Sequence, residues 1–145
     1  MARDPSLTRQ IMMAIKSVNT QPELQLRRAL WARGLRFRCH DNALPGKPDI
    51  VFSRAKLAVF CDGDYWHGHN WALRGFKSLA EELATYKPYW RDKILGNVRR
   101  DEATNLKLKA LGWNVIRVWA SDLKTDLNAC LERIETQYRA LIASK

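Results

Sequence analysis

Residues 46–69 read GKPDIVFSRAKLAVFCDGDYWHGH, and the order of elements follows from them. Asp49 stands behind a proline at the start of a short apolar run that ends at Phe52. Residues 53–56 make a turn, and Leu57–Cys61 is a second apolar run. That second run is apolar on both faces, so it belongs in the centre of a sheet. Asp62 and Asp64 follow it, then Tyr65, Trp66, His67 and His69. Two acids beside a buried strand are costly unless solvated, paired or bound to metal. A carboxylate at one strand edge, with more acids and imidazoles returned by a hairpin, can hold a divalent ion.

Upstream, Thr20-Gln-Pro-Glu23 is a helix start: Thr caps, Pro fits the first turn, and Glu23 can close a capping box. The helix runs to about Arg33 and stops at Gly34. Leu35, Phe37 and Cys39 alternate with Arg36, Arg38 and His40, the pattern of a half-buried strand. Residues 7–17 can form a short helix, so 1–19 is expected to contact DNA or to cap the core. Downstream, 63–84 is irregular or partly helical. Pro88 opens a helix that Gly112 ends. Residues 114–119 form another apolar strand, and 123–143 a closing helix with Leu127, Leu131, Ile134, Tyr138 and Leu141 on one stripe. The order predicts one α/β domain over 1–145, with helices packed around a mixed sheet.

Lys and Arg number 25 against 15 acids, a net charge of +10, which favours a polyanionic partner. No amphipathic Lys/Trp helix suggests a membrane surface, and no apolar run nears the ~20 residues needed to span one. Nucleic acid, DNA or RNA, is therefore the expected partner, and nothing resembles an RNA-recognition motif. The N-terminal MARDPSLTRQ is not signal-like, and a cytoplasmic, nucleoid-associated protein is expected. Cys39, Cys61 and Cys130 form no CxxC and are read as small buried hydrophobes.

Asp49 and Asp62 are the preferred acidic pair. A common nuclease pattern has Lys two residues after the second acid, but here that place is Asp64. His67 is therefore the candidate base, because an imidazole titrates near neutrality. His69 is a candidate phosphate or leaving-group contact. Lys93, Asn97, Asp101 and Asn105 recur every four residues on one helix face, with Arg99 and Arg100 nearby. That face is either solvated or borders nucleic acid, and Asp101 could orient His67. Trp66, Trp71 and Trp90 lie amid polar residues and could stack on bases. A DNA-binding protein without catalysis is the non-enzyme alternative.

TQPELQLRRAL, GLRFRCHDNALPGKPDIVF, AVFCDGDYWHGH, YWRDKILGNVRRD and LGWNVIRVW occur in this order. Together they resemble the very short patch repair, or Vsr, endonucleases, which nick DNA next to T:G mismatches. The resemblance implies a three-layer α/β/α fold of the PD-(D/E)XK restriction-endonuclease type, with a central mixed sheet. It implies Mg²⁺ at Asp49 and the carbonyl of Cys61; waters and Asp62 are expected to complete the shell. It makes His67 the base, Asp101 its partner and Glu23 an active-site acid. Asp62 stands where the family has a further His. Tyr65, Trp66 and Trp90 match an aromatic wedge that enters the duplex. His69, Lys93, Asn97, Arg99 and Arg100 are expected at the DNA. The implied product is a nick with 5′-phosphate and 3′-hydroxyl ends, and a mismatch-repair protein is an implied partner. The family's structural zinc is held by three Cys and one His; the matching places are Asp64, His69, Trp71 and Ser121. No structural zinc is expected, and Asp64 is expected to pair with His69 in its stead. Residues 71–86 are longer than the family pattern. A nuclease of a modification or defence system, without mismatch preference, is the alternative enzyme.

Overall fold

The computed structural model describes residues 20–145. The expected helix at 7–17 and the role expected of 1–19 lie outside the described residues. The elements are α1 (Gln21–Ala32), β1 (Arg38–Cys39), β2 (Ile50–Phe52), β3 (Leu57–Asp62), α2 (Asn70–Leu73) and α3 (Leu79–Leu83). There follow α4 (Pro88–Ala110), β4 (Asn114–Trp119), α5 (Ala120–Thr125) and α6 (Leu127–Ala143). The four strands form one sheet in the order β1-β2-β3-β4. The first two pairings are antiparallel, and β3 with β4 is parallel. A parallel neighbour needs a crossover, and the long α4 supplies it.

The alternation of β3 distributes the layers. Leu57 and Val59 face one side with Ile50, Phe52, Ile116 and Val118, under α1, α5 and α6. Leu26, Leu30, Leu123, Leu131 and Ile134 cover them from those helices. Ala58 and Phe60 face the other side, where Leu108 of α4 packs on them. The mixed sheet with helices on both sides is the expected α/β arrangement of restriction-endonuclease type.

Three local expectations are corrected. Only Arg38 and Cys39 pair as strand, because β1 is an edge whose register with β2 covers two residues. The closing helix is broken at Asp126, which leaves helical geometry (φ −149°, ψ 70°) and caps α6 by accepting from the Ala129 N–H. Of the three cysteines only Cys130 is fully buried.

Candidate active site

Asp49 sits at the lip of β2, and its Oδ2 accepts from the backbone N–H of Cys61 at 2.7 Å. α1 brings Glu23 beneath it. Thr20 caps this helix by accepting from the Glu23 N–H, while the Glu23 carboxylate accepts from Arg27 Nη2 at 2.9 Å. Glu23 is only 2% exposed. Burial pushes the Asp49 carboxyl up to about 7; the Cys61 hydrogen bond opposes this, and the charges of Glu23 and Asp62 add to it. Two acids meet here against the single guanidinium of Arg27, and oxygen donors of this kind fit a hard divalent ion. Asp49, Glu23 and the carbonyl of Cys61 are the groups that would hold it.

The next residue along β3 points to the other face of the sheet. Asp62 is 3% exposed. Arg117 of β4 donates from Nη1 to both Asp62 oxygens, at 3.1 and 2.9 Å. The same guanidinium lies over the Phe60 ring at 4.0 Å and donates to Asn105 Oδ1 at 2.9 Å. The expected pair of Asp49 and Asp62 is therefore divided. The structure groups Asp62 with His67 and Asp101, and Asp49 with Glu23 and His40. Burial raises the Asp62 carboxyl, and His67 and Arg117 pull it back.

His67 stands on the loop after β3. Its Nδ1 donates to Asp101 Oδ2 at 2.5 Å, and Asp62 Oδ1 lies 3.8 Å from the same nitrogen. A carboxylate that accepts at Nδ1 leaves Nε2 as the acceptor, the tautomer a base needs. Burial disfavours the imidazolium, but the Asp101 hydrogen bond and the two carboxylate charges outweigh it, so the His67 pKa is raised. Gly68 lets the loop pass close to α4: it has φ 78°, and a Cβ there would lie 2.8 Å from Val98 Cγ2.

The four-residue stripe of α4 is a wall of this site. Asn97 Nδ2 donates to the Trp66 carbonyl at 3.1 Å, Asp101 holds His67, and Asn105 holds Arg117. Arg99 and Arg100 are exposed on the same helix. Tyr65 and Trp66 meet edge to face at 5.1 Å, and Trp66 lies 6.2 Å from Trp90. Lys93 Nζ is 5.5 Å from the Trp66 ring centre. Glu23 and Cys61 from the first group and His67 from the second line one cavity of about 490 Å³, with Trp66, Lys93 and Asn97 on its wall.

Two relatives share this chain's sequence over nearly its full length. A type II nicking enzyme of Neisseria meningitidis serogroup C, V.NmeDIP, is 38% identical over 93% of this chain and 88% of its own. The DNA mismatch endonuclease Vsr of Escherichia coli K12 is 38% identical over 86% and 78%. The family model described as DNA mismatch endonuclease Vsr matches residues 2–73. This chain belongs to the Vsr family of DNA endonucleases. A further relative, the type II nicking enzyme V.HpaIIP of Haemophilus parainfluenzae, is 40% identical over 74% of this chain and 73% of its own.

Within this Vsr-family chain, sequence reasoning missed Arg117, Arg27 and His40. Arg117 had a signal: it is the lone cation inside the apolar run NVIRVW. His40 closes the polar side of the Leu35–Cys39 alternation, and nothing nearby marks its target. His69 is bound to Asp64: Nδ1 donates to Oδ1 at 2.7 Å. Ser121 Oγ donates to the same oxygen at 2.7 Å, and the Ser121 N–H to Oδ2 at 3.0 Å. The Trp119 ring stacks on His69, 4.3 Å between centres and 5° between planes. Asp64 and His69 are thus paired as expected, and Ser121, a third of the four places matched to zinc ligands, completes the cluster. It ties the His67 loop to the end of β4 with hydrogen bonds and one stacked ring.

Ser121→Ala is expected to lower stability by about 1–3 kcal/mol, since it removes a hydrogen bond to a charged group. With Mg²⁺ held in excess, a zinc-selective chelator is expected to leave the melting temperature of the wild-type chain unchanged. Thermal unfolding with and without that chelator checks both, and a drop with it would show that a metal joins the cluster.

Proposed function

We propose that this chain is a divalent-metal-dependent nickase that cuts one strand of duplex DNA beside a T:G mismatch. The observation that carries this reading is the shared cavity. Glu23 and Cys61, which adjoin Asp49, and the Asp101-oriented His67 line it together, and Trp66 on its wall is in ring contact with Tyr65 and Trp90. His67 takes a proton from the attacking water at Nε2, while Asp101 holds the ring at Nδ1. Arg117 fixes Asp62 beside that ring and so sets its electrostatics. A bound divalent ion, Mg²⁺ in the first instance, would neutralise charge on the phosphate and leaving oxygens. The products are 5′-phosphate and 3′-hydroxyl ends.

Lys93, Asn97, Arg99 and Arg100 grip the DNA beside the cavity. The three rings unstack the duplex at the lesion, a cost of a few kcal/mol that a mismatch lowers. The names of the Escherichia coli and Neisseria relatives, a mismatch endonuclease and a nicking enzyme, support both parts of the reading. Action on chromosomal DNA in the cytoplasm, alongside a mismatch-repair protein, belongs to it. No helix among the described residues is long and apolar enough to cross a membrane.

Nicking of T:G-mismatched and matched duplexes of identical flanks, with Mg²⁺ and with EDTA, tests the proposal. Metal-dependent nicking confined to the mismatch is the expected result. Equal cutting of both duplexes would favour the second reading, a nuclease of a modification or defence system. The segment 70–86 is the feature that favours that second reading. It is folded on the buried Glu82, which accepts from Tyr86 Oη at 2.8 Å and Asn70 Nδ2 at 3.3 Å, and it sets Tyr86 6.0 Å from Tyr65.

A further inference from the structure

His40 lies just past β1, and its placement is unusual for a connecting residue. Its backbone adopts φ 52°, a left-handed conformation that is uncommon for a non-glycine residue. Its N–H donates to the Asp49 carbonyl at 3.2 Å, so the β1–β2 ladder holds it against the candidate metal site. The ring then spans the two acids of that site. Nδ1 lies 3.7 Å from Asp49 Oδ1, and Nε2 lies 3.2 Å from Glu23 Oε1.

One donor atom from each of Glu23, His40 and Asp49 falls within 4.8 Å of the other two. Ligands bound at ~2.1 Å can be at most ~4.2 Å apart across one ion, so the three need to close in only slightly. Arg27 marks the same point from the other direction. Its Nη2 donates to Glu23 Oε1 at 2.9 Å and contacts His40 Nε2 at 3.2 Å. A guanidinium has no lone pair to offer, so this contact fits the tautomer whose lone pair is on Nε2. That is the neutral, lone-pair-bearing form of imidazole that ligates metals.

We propose that His40 is a nitrogen ligand of the metal site at Asp49, and that Arg27 is the resident cation a divalent ion displaces. The site is then a mixed oxygen–nitrogen set. Such a set takes a first-row ion such as Co²⁺ in preference to Mg²⁺, because imidazole adds strength for the former and little for the latter. The inference rests on the reading that Asp49 holds the metal, and it concerns which ions that site selects.

The test is direct Co²⁺ binding to the full chain without DNA, by titration calorimetry and visible absorption, with Mg²⁺ as competitor. His40→Gln keeps a polar side chain at the position and removes the imidazole. Wild type is expected to bind Co²⁺ more tightly than H40Q by about tenfold or more, a loss of the size that disrupted metal sites show. Mg²⁺ affinity is expected to change by less than about threefold, as carboxylates and carbonyls carry it. Arg27→Gln is expected to tighten Co²⁺ binding. Paramagnetically shifted imidazole resonances present in wild type and lost in H40Q report ligation without reference to nicking or to overall stability.

Asp49→Ala separates the two layers of the argument. If D49A binds Co²⁺ as wild type does, the metal is elsewhere and the underlying site reading fails. If D49A loses the ion while H40Q keeps wild-type affinity and spectrum, the site stands and the His40 proposal is overturned. Mg²⁺-supported nicking by a wild-type chain that binds no Co²⁺ at millimolar concentration overturns it as well.

Discussion

Asp49→Asn is expected to abolish nicking and at the same time to stabilise the metal-free fold. Both effects come from one carboxylate. Its ionised form is what would attract a divalent ion, and burial beside Glu23 makes that form unfavourable, which lifts the pKa from 3.8 to about 7. A group with a higher pKa folded than unfolded binds its proton more tightly in the native state. Stability therefore falls as pH rises from about 4 to about 7 and stays reduced above it. A shift of this size corresponds to on the order of 4 kcal/mol. Asp49 keeps 14% of its side-chain exposure, and solvent screening reduces the expected gain to about 1–3 kcal/mol. Asparagine preserves the shape and can still accept from the Cys61 N–H. Thermal unfolding in chelator checks the prediction: D49N should melt above wild type at pH 8, and the two should converge near pH 4. DNA binding should survive. A D49N chain that nicks at the wild-type rate would place the metal site elsewhere.

His67→Ala is expected to lower the single-turnover nicking rate by ~10²–10⁴, the range of a lost general base. The wild-type rate should rise with pH, because the base works only when neutral. The limb should lie above the ordinary histidine value of 6.5, since Asp101 and Asp62 hold the proton on. Asp101→Asn removes one of those charges, so its limb should move to lower pH while the plateau falls. Ionisation of Asp49 shares part of this window, and metal concentration tells the two apart. More metal should move the Asp49 part to lower pH and leave the His67 part in place. Rate–pH profiles at two metal concentrations, for wild type and the two variants, carry the test. An H67A profile that overlays wild type would remove His67 from the role of base.

The histidine prediction was within reach of the sequence, because α4 repeats polar residues every four positions. Such spacing puts Lys93, Asn97, Asp101 and Asn105 on one stripe whatever the helix packs against. Spacing left open whether the stripe met water, DNA or the rest of the protein. In the structure three of the four bind other parts of the site, through the Trp66 carbonyl, His67 and Arg117. The break at Asp126 was also signalled, since Asp at a helix start is a capping residue. The unbroken apolar stripe beyond it hid the break.

The sequence by itself determined the hairpin at 50–62, the central place of β3, the crossover helix and the strand after it. Each follows from a local period or a capping residue, and local periods need no partner. The ordered blocks that resemble the Vsr endonucleases also gave the expectation that Asp49, His67 and Asp101 serve one site. Tertiary structure alone decided how the acids are shared out. Asp62 is next to Cys61 in the chain, yet the pleat of β3 sends them to opposite layers. Asp62 therefore meets Arg117 from β4, and Asp49 meets Glu23 and His40 from α1 and the end of β1. Partners 55 residues apart cannot be read from periodicity, because a period fixes which face a residue takes and not what is folded against that face.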